Sequence, residues 1–166
     1  MRIKKFPWLC AMIALILPLS AQEHNVRLQP FASDGFSVSR VNGTKSDIVT
    51  AGMAVVAPIS EKFFIRPFVG AGRSFAIEPS QPTPSVPVLQ VGTVVGYHAT
   101  KRFSLVSGFM ENAQFPATGT LYLPTFVAST VTRIHGRWGL FTPFTVNQRS
   151  YGIAAQLGYT WLPRAE

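Results

Sequence analysis

The sequence predicts an all-β fold: a single antiparallel up-and-down transmembrane β-barrel of about eight strands. Hydrophobic residues make up 47% of the 166 residues and charged residues only 13%, against roughly 25% charged residues in an average soluble domain. Beyond the N-terminal segment, no apolar run approaches the ~20 residues of a membrane-spanning helix. Only helices and closed barrels satisfy their own backbone hydrogen bonds in lipid, so this composition favours a barrel.

Residues 1–21 are typical of a Sec-type signal peptide, which leaves 22–166 as the barrel domain. Three basic residues open the segment, an apolar stretch follows at 8–17, and a small-residue end favours cleavage before Gln22. The alternative is an uncleaved N-terminal anchor. Cys10, the single cysteine, lies inside this segment. The mature chain is therefore expected to contain no disulfide, thiol nucleophile or thiolate metal site.

The basic balance of the chain does not predict a nucleic-acid-binding protein. Of fifteen Lys and Arg, three belong to the signal peptide, which leaves twelve against seven acids, a net charge of +5. These bases are scattered, and only Lys101 and Arg102 are adjacent. Scattered positive charge without a basic helix fits contact with anionic lipid or lipopolysaccharide at least as well as a nucleic-acid interface.

The last strand-like run shows the alternation of faces most clearly. Aromatic and apolar residues recur at 151, 153, 155, 157, 159 and 161, whereas small or polar residues occupy 152, 154, 156, 158 and 160. The runs at 65–72, 89–98 and 102–109 repeat this arrangement. A soluble core needs bulky inward residues, but a narrow eight-stranded lumen holds only modest ones, so the apolar face is predicted to meet lipid. Phe64, Phe68 and Val94 depart from the pattern.

Eight strands are predicted at 34–42, 47–58, 63–77, 86–99, 102–115, 119–133, 137–149 and 150–162, with a start of the first as early as Val26 left open. Tight turns at 60–62, 100–101 and 135–136 alternate with connections at 42–46, 78–85, 116–118 and 148–150. If both termini are periplasmic, the tight turns face the periplasm and the other connections face outward. An even number of strands then lets the barrel close with both termini at the same end.

Two stretches resemble the small outer-membrane β-barrel superfamily, the OmpA/OmpX-like group. The stretch 91–110, VGTVVGYHATKRFSLVSGFM, is similar to its repeated hairpin, and IAAQLGYTWLPR resembles its C-terminal strand. The chain departs from that pattern by continuing for five residues past Trp161. The resemblance implies a barrel in the outer membrane of a Gram-negative-type bacterium, assembled by the barrel-assembly machinery; it implies no activity.

Two sets of side chains follow from this arrangement. Aromatic residues near strand ends are predicted to lie at the membrane interfaces: Tyr97, Phe103, Trp138, Tyr151, Tyr159 and Trp161. Polar residues on the inner face are predicted to pair and plug the lumen: Arg66, Gln90, Arg102, Asn112, Gln114 and Gln156. Glu111 is predicted to face outward, either above the bilayer at the outer rim or where the register slips.

The three histidines, His24, His98 and His135, predict no catalytic site. Outer-membrane barrels that acylate or deacylate lipid A use a His with a nearby Ser and a carboxylate. His98 has Ser104 across its hairpin but no evident carboxylate, and both His98 and His135 adjoin predicted periplasmic turns. No metal-ligand spacing occurs. We therefore expect no catalytic, cofactor or metal site.

The sequence thus predicts a small integral outer-membrane β-barrel with a structural or surface-interaction role, neither an open pore nor an enzyme. Its expected partners are outer-membrane lipid and lipopolysaccharide, and a surface partner could bind the outer loops, including the Pro-rich stretch 79–87. Two alternatives remain at this point. One is a lipid A-modifying hydrolase or acyltransferase; the other is a secreted soluble β-barrel that binds an apolar ligand inside.

Overall fold

The computed structural model describes residues 26–77 and 85–160, and these residues form eight antiparallel strands that close into a barrel. Each strand pairs with the next along the chain, and β1 pairs with β8 to close the sheet. The predicted all-β antiparallel barrel is confirmed. The strands are β1 Arg27–Ser39, β2 Lys45–Pro58, β3 Phe63–Ala76, β4 Val86–His98, β5 Phe103–Gln114, β6 Leu121–His135, β7 Trp138–Val146 and β8 Ser150–Tyr159.

The connections form two sets at opposite ends of the barrel. Residues 59–62, 99–102 and 136–137 connect strands at the end where β1 begins and β8 ends, which we call the turn end. Residues 40–44, 115–120 and 147–149 connect strands at the other end, the loop end, where β3 also ends and β4 begins. This alternation agrees with the two sets of connections that the sequence predicted. Residues 1–25, which include the predicted signal peptide, lie outside the described residues.

The first strand is longer than the sequence pattern indicated. β1 begins at Arg27 instead of residue 34 and ends at Ser39. Its alternation is hard to recognise because two residues depart from the usual chemistry: the large apolar Phe31 is buried inside, and the acidic Asp34 is exposed outside. The start as early as Val26 that the sequence left open is therefore the better boundary, and pairing with both β2 and β8 fixes it.

The seventh strand is shorter than predicted, since it ends at Val146 instead of residue 149. The Asn147 side-chain oxygen accepts hydrogen bonds from the backbone N–H groups of Arg149 and Ser150, both at 2.8 Å. An Asn that binds the backbone two and three residues ahead stabilises a tight turn in place of strand pairing. This turn leads directly into β8.

Large inward phenylalanines lie opposite glycines on neighbouring strands. Phe64 pairs with Gly96 and Phe68 with Gly92 across β3 and β4, and Phe31 pairs with Gly52 across β1 and β2. These glycines leave the space that the rings occupy, since a Cβ on Gly96 would come within 2.0 Å of the Phe64 ring. The residues that broke the small-residue pattern are thus accommodated by a small partner directly opposite.

We expect Gly96→Ala to destabilise the barrel by about 1–3 kcal/mol, the usual cost of overpacking a filled interior. The added methyl group would collide with Phe64, which packs against Val94, Val106 and Met110. Urea unfolding followed by tryptophan fluorescence measures the loss. Gly139→Ala is the matched control, because its nearest neighbour would lie at 3.7 Å. Equal stability of the two variants would contradict the packing argument.

Candidate membrane-facing surface and lumen

The outer surface of the barrel carries a continuous belt of apolar side chains. Along most strands, outward residues are aliphatic or aromatic, as at 49–57 on β2, 63–71 on β3 and 151–159 on β8. Several are largely exposed, including Phe109 at 66% and Ile153 at 59%. Nine residues of a strand tilted by ~40° rise about 20 Å, close to the ~25 Å apolar band of a membrane barrel.

Charged residues interrupt this belt only toward the loop end. Asp34, Asp47, Arg73 and Glu111 point outward there, and exposed phenylalanines at 36, 75 and 115 lie still further toward the loop end. Around Glu111, β5 pairs with β4 and β6 without a register shift. The register therefore does not slip at Glu111, and its position above the bilayer stays a prediction.

The predicted interface aromatics lie outward at strand ends where the structure describes them. Tyr97, Phe103, Trp138 and Tyr159 lie at the turn end, and Tyr151 lies at the loop end. The turn-end rings pack in pairs across strands: Trp138 contacts Tyr159 with centroids 5.0 Å apart, and Phe63 contacts Tyr97 at 5.2 Å. Trp161 lies outside the described residues. Their placement at a membrane interface stays a prediction.

Arg66 lies buried in the lumen, where it contacts side chains from several strands. Its side chain is only 3% exposed, and its Nε donates a hydrogen bond of 2.8 Å to the Gln29 side-chain oxygen. The guanidinium carbon lies 4.4 Å from the Phe141 ring centroid, 5.4 Å from that of Phe31 and 5.6 Å from that of Phe68. Because β3 and β7 lie on opposite sides of an eight-stranded barrel, the Arg66–Phe141 contact crosses the lumen.

The polar chain around Arg66 continues toward the turn end, and no described carboxylate takes part in it. The Gln29 side-chain nitrogen donates to the Thr160 hydroxyl at 3.1 Å. The four acids among residues 26–77 and 85–160 are the three outward ones and Glu61 in a turn. The aromatic rings and one amide oxygen are thus the described groups that compensate the buried cation, a cation–π arrangement.

The other residues that were predicted to line the lumen do not all lie there. Asn112 and Gln156 are buried on the inner face, and Gln90 accepts a hydrogen bond from Thr50 at 3.5 Å. Gln114 ends β5 and is half-buried. Arg102 is a correction: it is exposed in the turn before β5, because the strand begins only at Phe103.

Sequence reasoning missed the partners of Arg66. Gln29 fell before the predicted start of β1, and Phe141 lies 75 positions away on the opposite wall. A contact across a barrel depends on closure and shear, so no local pattern in the sequence indicates it. The Phe–Gly cross-strand pairs did leave a signal, since a bulky residue opposite glycine can be recognised once hairpins are aligned.

His98 and Ser104 lie close enough together to be considered as a general base and a hydroxyl nucleophile. The His98 Nδ1 and the Ser104 Oγ lie 2.8 Å apart, the spacing required of a base and a hydroxyl nucleophile. The charged side chains that act on this ring are Arg133 and Arg27, and the Phe64 ring packs on it at 4.7 Å. Two nearby cations do not orient an imidazole as the carboxylate of a catalytic triad does.

Two further properties concern metal binding and membrane helices. In the part of the chain that the structure describes, no group of three or more His, Cys, Asp or Glu side chains could hold a metal ion. Within the same residues, no helix is long and apolar enough to span a membrane.

Comparison with solved structures identifies the fold. A de novo designed transmembrane β-barrel matches with a TM-score of 0.54 and 16% identity, over 84% of this chain and 98% of the design. A second design, solved by NMR, matches with a TM-score of 0.54 and 14% identity, over 86% and 99% of the two chains. The chain has the fold of a transmembrane β-barrel. This fold agrees with the resemblance to small outer-membrane barrels.

A natural barrel is also similar. Neisserial surface protein A matches over 82% of this chain and 97% of its own, with a TM-score of 0.49 and 9% identity. No protein-family model matches the chain, and no curated protein matches it by sequence.

Proposed function

We propose that this protein is an integral outer-membrane β-barrel that serves envelope structure or surface interaction and does not form an open pore. The observation that carries the proposal is the apolar belt. Val95, Leu105, Phe109 and Ile153 are each more than 40% exposed on one continuous surface. A water-soluble barrel would leave far less contiguous apolar area exposed, whereas lipid covers such a belt without cost.

Side chains fill the interior of the barrel, which supports the proposal that it forms no pore and holds no internal ligand. Arg66 and Phe141 meet across the lumen, and Phe64, Val94, Val106, Met110 and Val127 fill the next layer. Eight strands enclose an interior that side chains of this size fill. A conducting channel or a soluble carrier of apolar ligands would need a lumen free of these side chains.

The proposed partners follow from the same surfaces. The belt would contact membrane lipid, including lipopolysaccharide on the outer side if the loop end faces outward. The C-terminal strand β8 pairs with β1 to close the sheet, the step that the barrel-assembly machinery would promote. A surface partner would bind the loop-end connections; the Pro-rich stretch 79–87 lies mostly outside the described residues.

Fractionation and conductance test the proposal together. We expect the native protein in the outer-membrane fraction, and we expect the folded form to migrate differently from the boiled form on gels. In planar bilayers the folded protein should produce no unitary conductance steps, because the Arg66–Phe141 contact blocks the lumen. Recovery in the soluble periplasm would refute membrane integration; stepwise ion currents would refute the closed lumen alone.

A further inference from the structure

Four strands begin with the same pair of residue types at the turn end. In each of β1, β3, β5 and β7, the first large apolar residue that faces outward follows directly after a basic residue, which begins β1 and immediately precedes the other three strands. The pairs are Arg27-Leu28, Lys62-Phe63, Arg102-Phe103 and Arg137-Trp138. Because these strands alternate with the others around the closed sheet, the four bases are spaced around the whole rim.

Backbone hydrogen bonds hold three of these bases in place. The carbonyl oxygen of Lys62 accepts from His98 N–H at 2.8 Å, and that of Arg102 accepts from Arg133 N–H at 2.8 Å. The carbonyl oxygen of Arg137 accepts from Thr160 N–H at 2.9 Å. Each bond ties a turn to the adjacent strand, while the three side chains themselves are exposed. The rim therefore presents cations on a fixed backbone.

The two ends of the barrel differ in charge. Among the described residues, the turn end carries six bases, Arg27, Lys62, Lys101, Arg102, Arg133 and Arg137, against the single acid Glu61. Toward the loop end, four bases accompany three acids: Arg40, Lys45, Arg73 and Arg149 with Asp34, Asp47 and Glu111. Among these residues the turn end therefore has a net charge of +5 and the loop end a net charge of +1.

We infer that the ring of cations at the turn end binds the phosphate groups of anionic phospholipids in the adjacent leaflet. This inference rests on the proposed membrane integration. The aromatic pairs Phe63–Tyr97 and Trp138–Tyr159 mark the headgroup level. The basic residue precedes the outward residue by one position, so it lies about 3 Å further from the bilayer centre, at the depth of the phosphates. Long basic side chains readily reach such groups.

Spin-label measurements of lipid selectivity test the inference. The folded protein is placed in phosphatidylcholine vesicles that contain a trace of nitroxide-labelled phosphatidylglycerol or phosphatidylcholine, and the motionally restricted fraction of each label is compared. Each cation at an anionic surface contributes roughly a fivefold preference. We expect the wild type to prefer phosphatidylglycerol several-fold, and the variant Lys62→Gln, Arg102→Gln, Arg137→Gln to lose most of that preference.

A matched variant at the loop end removes the same charge: Arg40→Gln, Lys45→Gln, Arg149→Gln. It should keep the wild-type preference, as should Lys62→Arg, Arg102→Lys, Arg137→Lys, which retains the turn-end charge. Equal restriction of both labels by the wild type, or an equal loss in both Gln variants, would overturn the inference. Loss of the preference in millimolar inorganic phosphate would assign the rim to free anions instead. Failure to restrict either label would refute membrane integration itself.

Discussion

Val69→Arg is expected to destabilise the folded barrel by about 2–4 kcal/mol in a bilayer, the cost of a cation on the lipid face near the midplane. Val69 faces outward on β3, between Phe63 at the turn end and Arg73 toward the loop end. Its cross-strand partners Met53 and Val91 are also apolar and outward, so neither of them offers a polar group to the guanidinium. Urea-induced unfolding in phosphatidylcholine vesicles measures the change.

The matched control is Val41→Arg, which introduces the same side chain in the connection between β1 and β2. Val41 is 79% exposed there, and we expect no measurable loss of stability. The contrast separates lipid from water at position 69, because Val69 is itself 47% exposed and would tolerate a cation in a water-soluble protein. Similar stability of the two variants would mean that the belt faces water.

The strands and their faces were predictable because alternation is a local property. On β8 the outward and inward sets read directly from residues 151–160, and the burial of Gly152 and Gln156 agrees with them. The same rule failed on β1, where Phe31 points inward and Asp34 outward. The sequence shows only whether successive side chains are polar or apolar. This polarity predicts which face a residue lies on only where inward residues are small or polar and outward residues are apolar.

The lumen was predictable only in part, for a different reason. The sequence placed Arg66, Asn112 and Gln156 on the inner face, and they are buried there. It could not indicate that Arg66 would meet Phe141, since that contact depends on the diameter and stagger of the closed sheet. The sequence also assigned Arg102 to the lumen, because alternate residues of a strand face the same side. This alternation does not continue into the turn in which Arg102 lies.

The buried Arg66 cation contacts aromatic rings and the side-chain amide of Gln29. The stability of the barrel should therefore depend strongly on Gln29, and its replacement is the second substitution with a large expected effect. Gln29→Leu removes the acceptor of the Arg66 Nε–H bond while preserving the side-chain volume. We expect it to cost about 2–3 kcal/mol, because a hydrogen bond to a buried charged group is lost and the donor stays buried. Equilibrium unfolding in urea, in the same lipid, measures the loss.

Replacement of the cation itself should cost less than removal of its partner. Arg66→Met gives up the contacts with the Phe31, Phe68 and Phe141 rings, but it also removes a buried charge that no described carboxylate neutralises. Well-packed apolar replacements of buried charges are often neutral or stabilising. The double variant Gln29→Leu, Arg66→Met should therefore be more stable than Gln29→Leu alone. If the two single effects simply add, the hydrogen bond between the two side chains contributes nothing, and the stability of the lumen must come from its apolar packing.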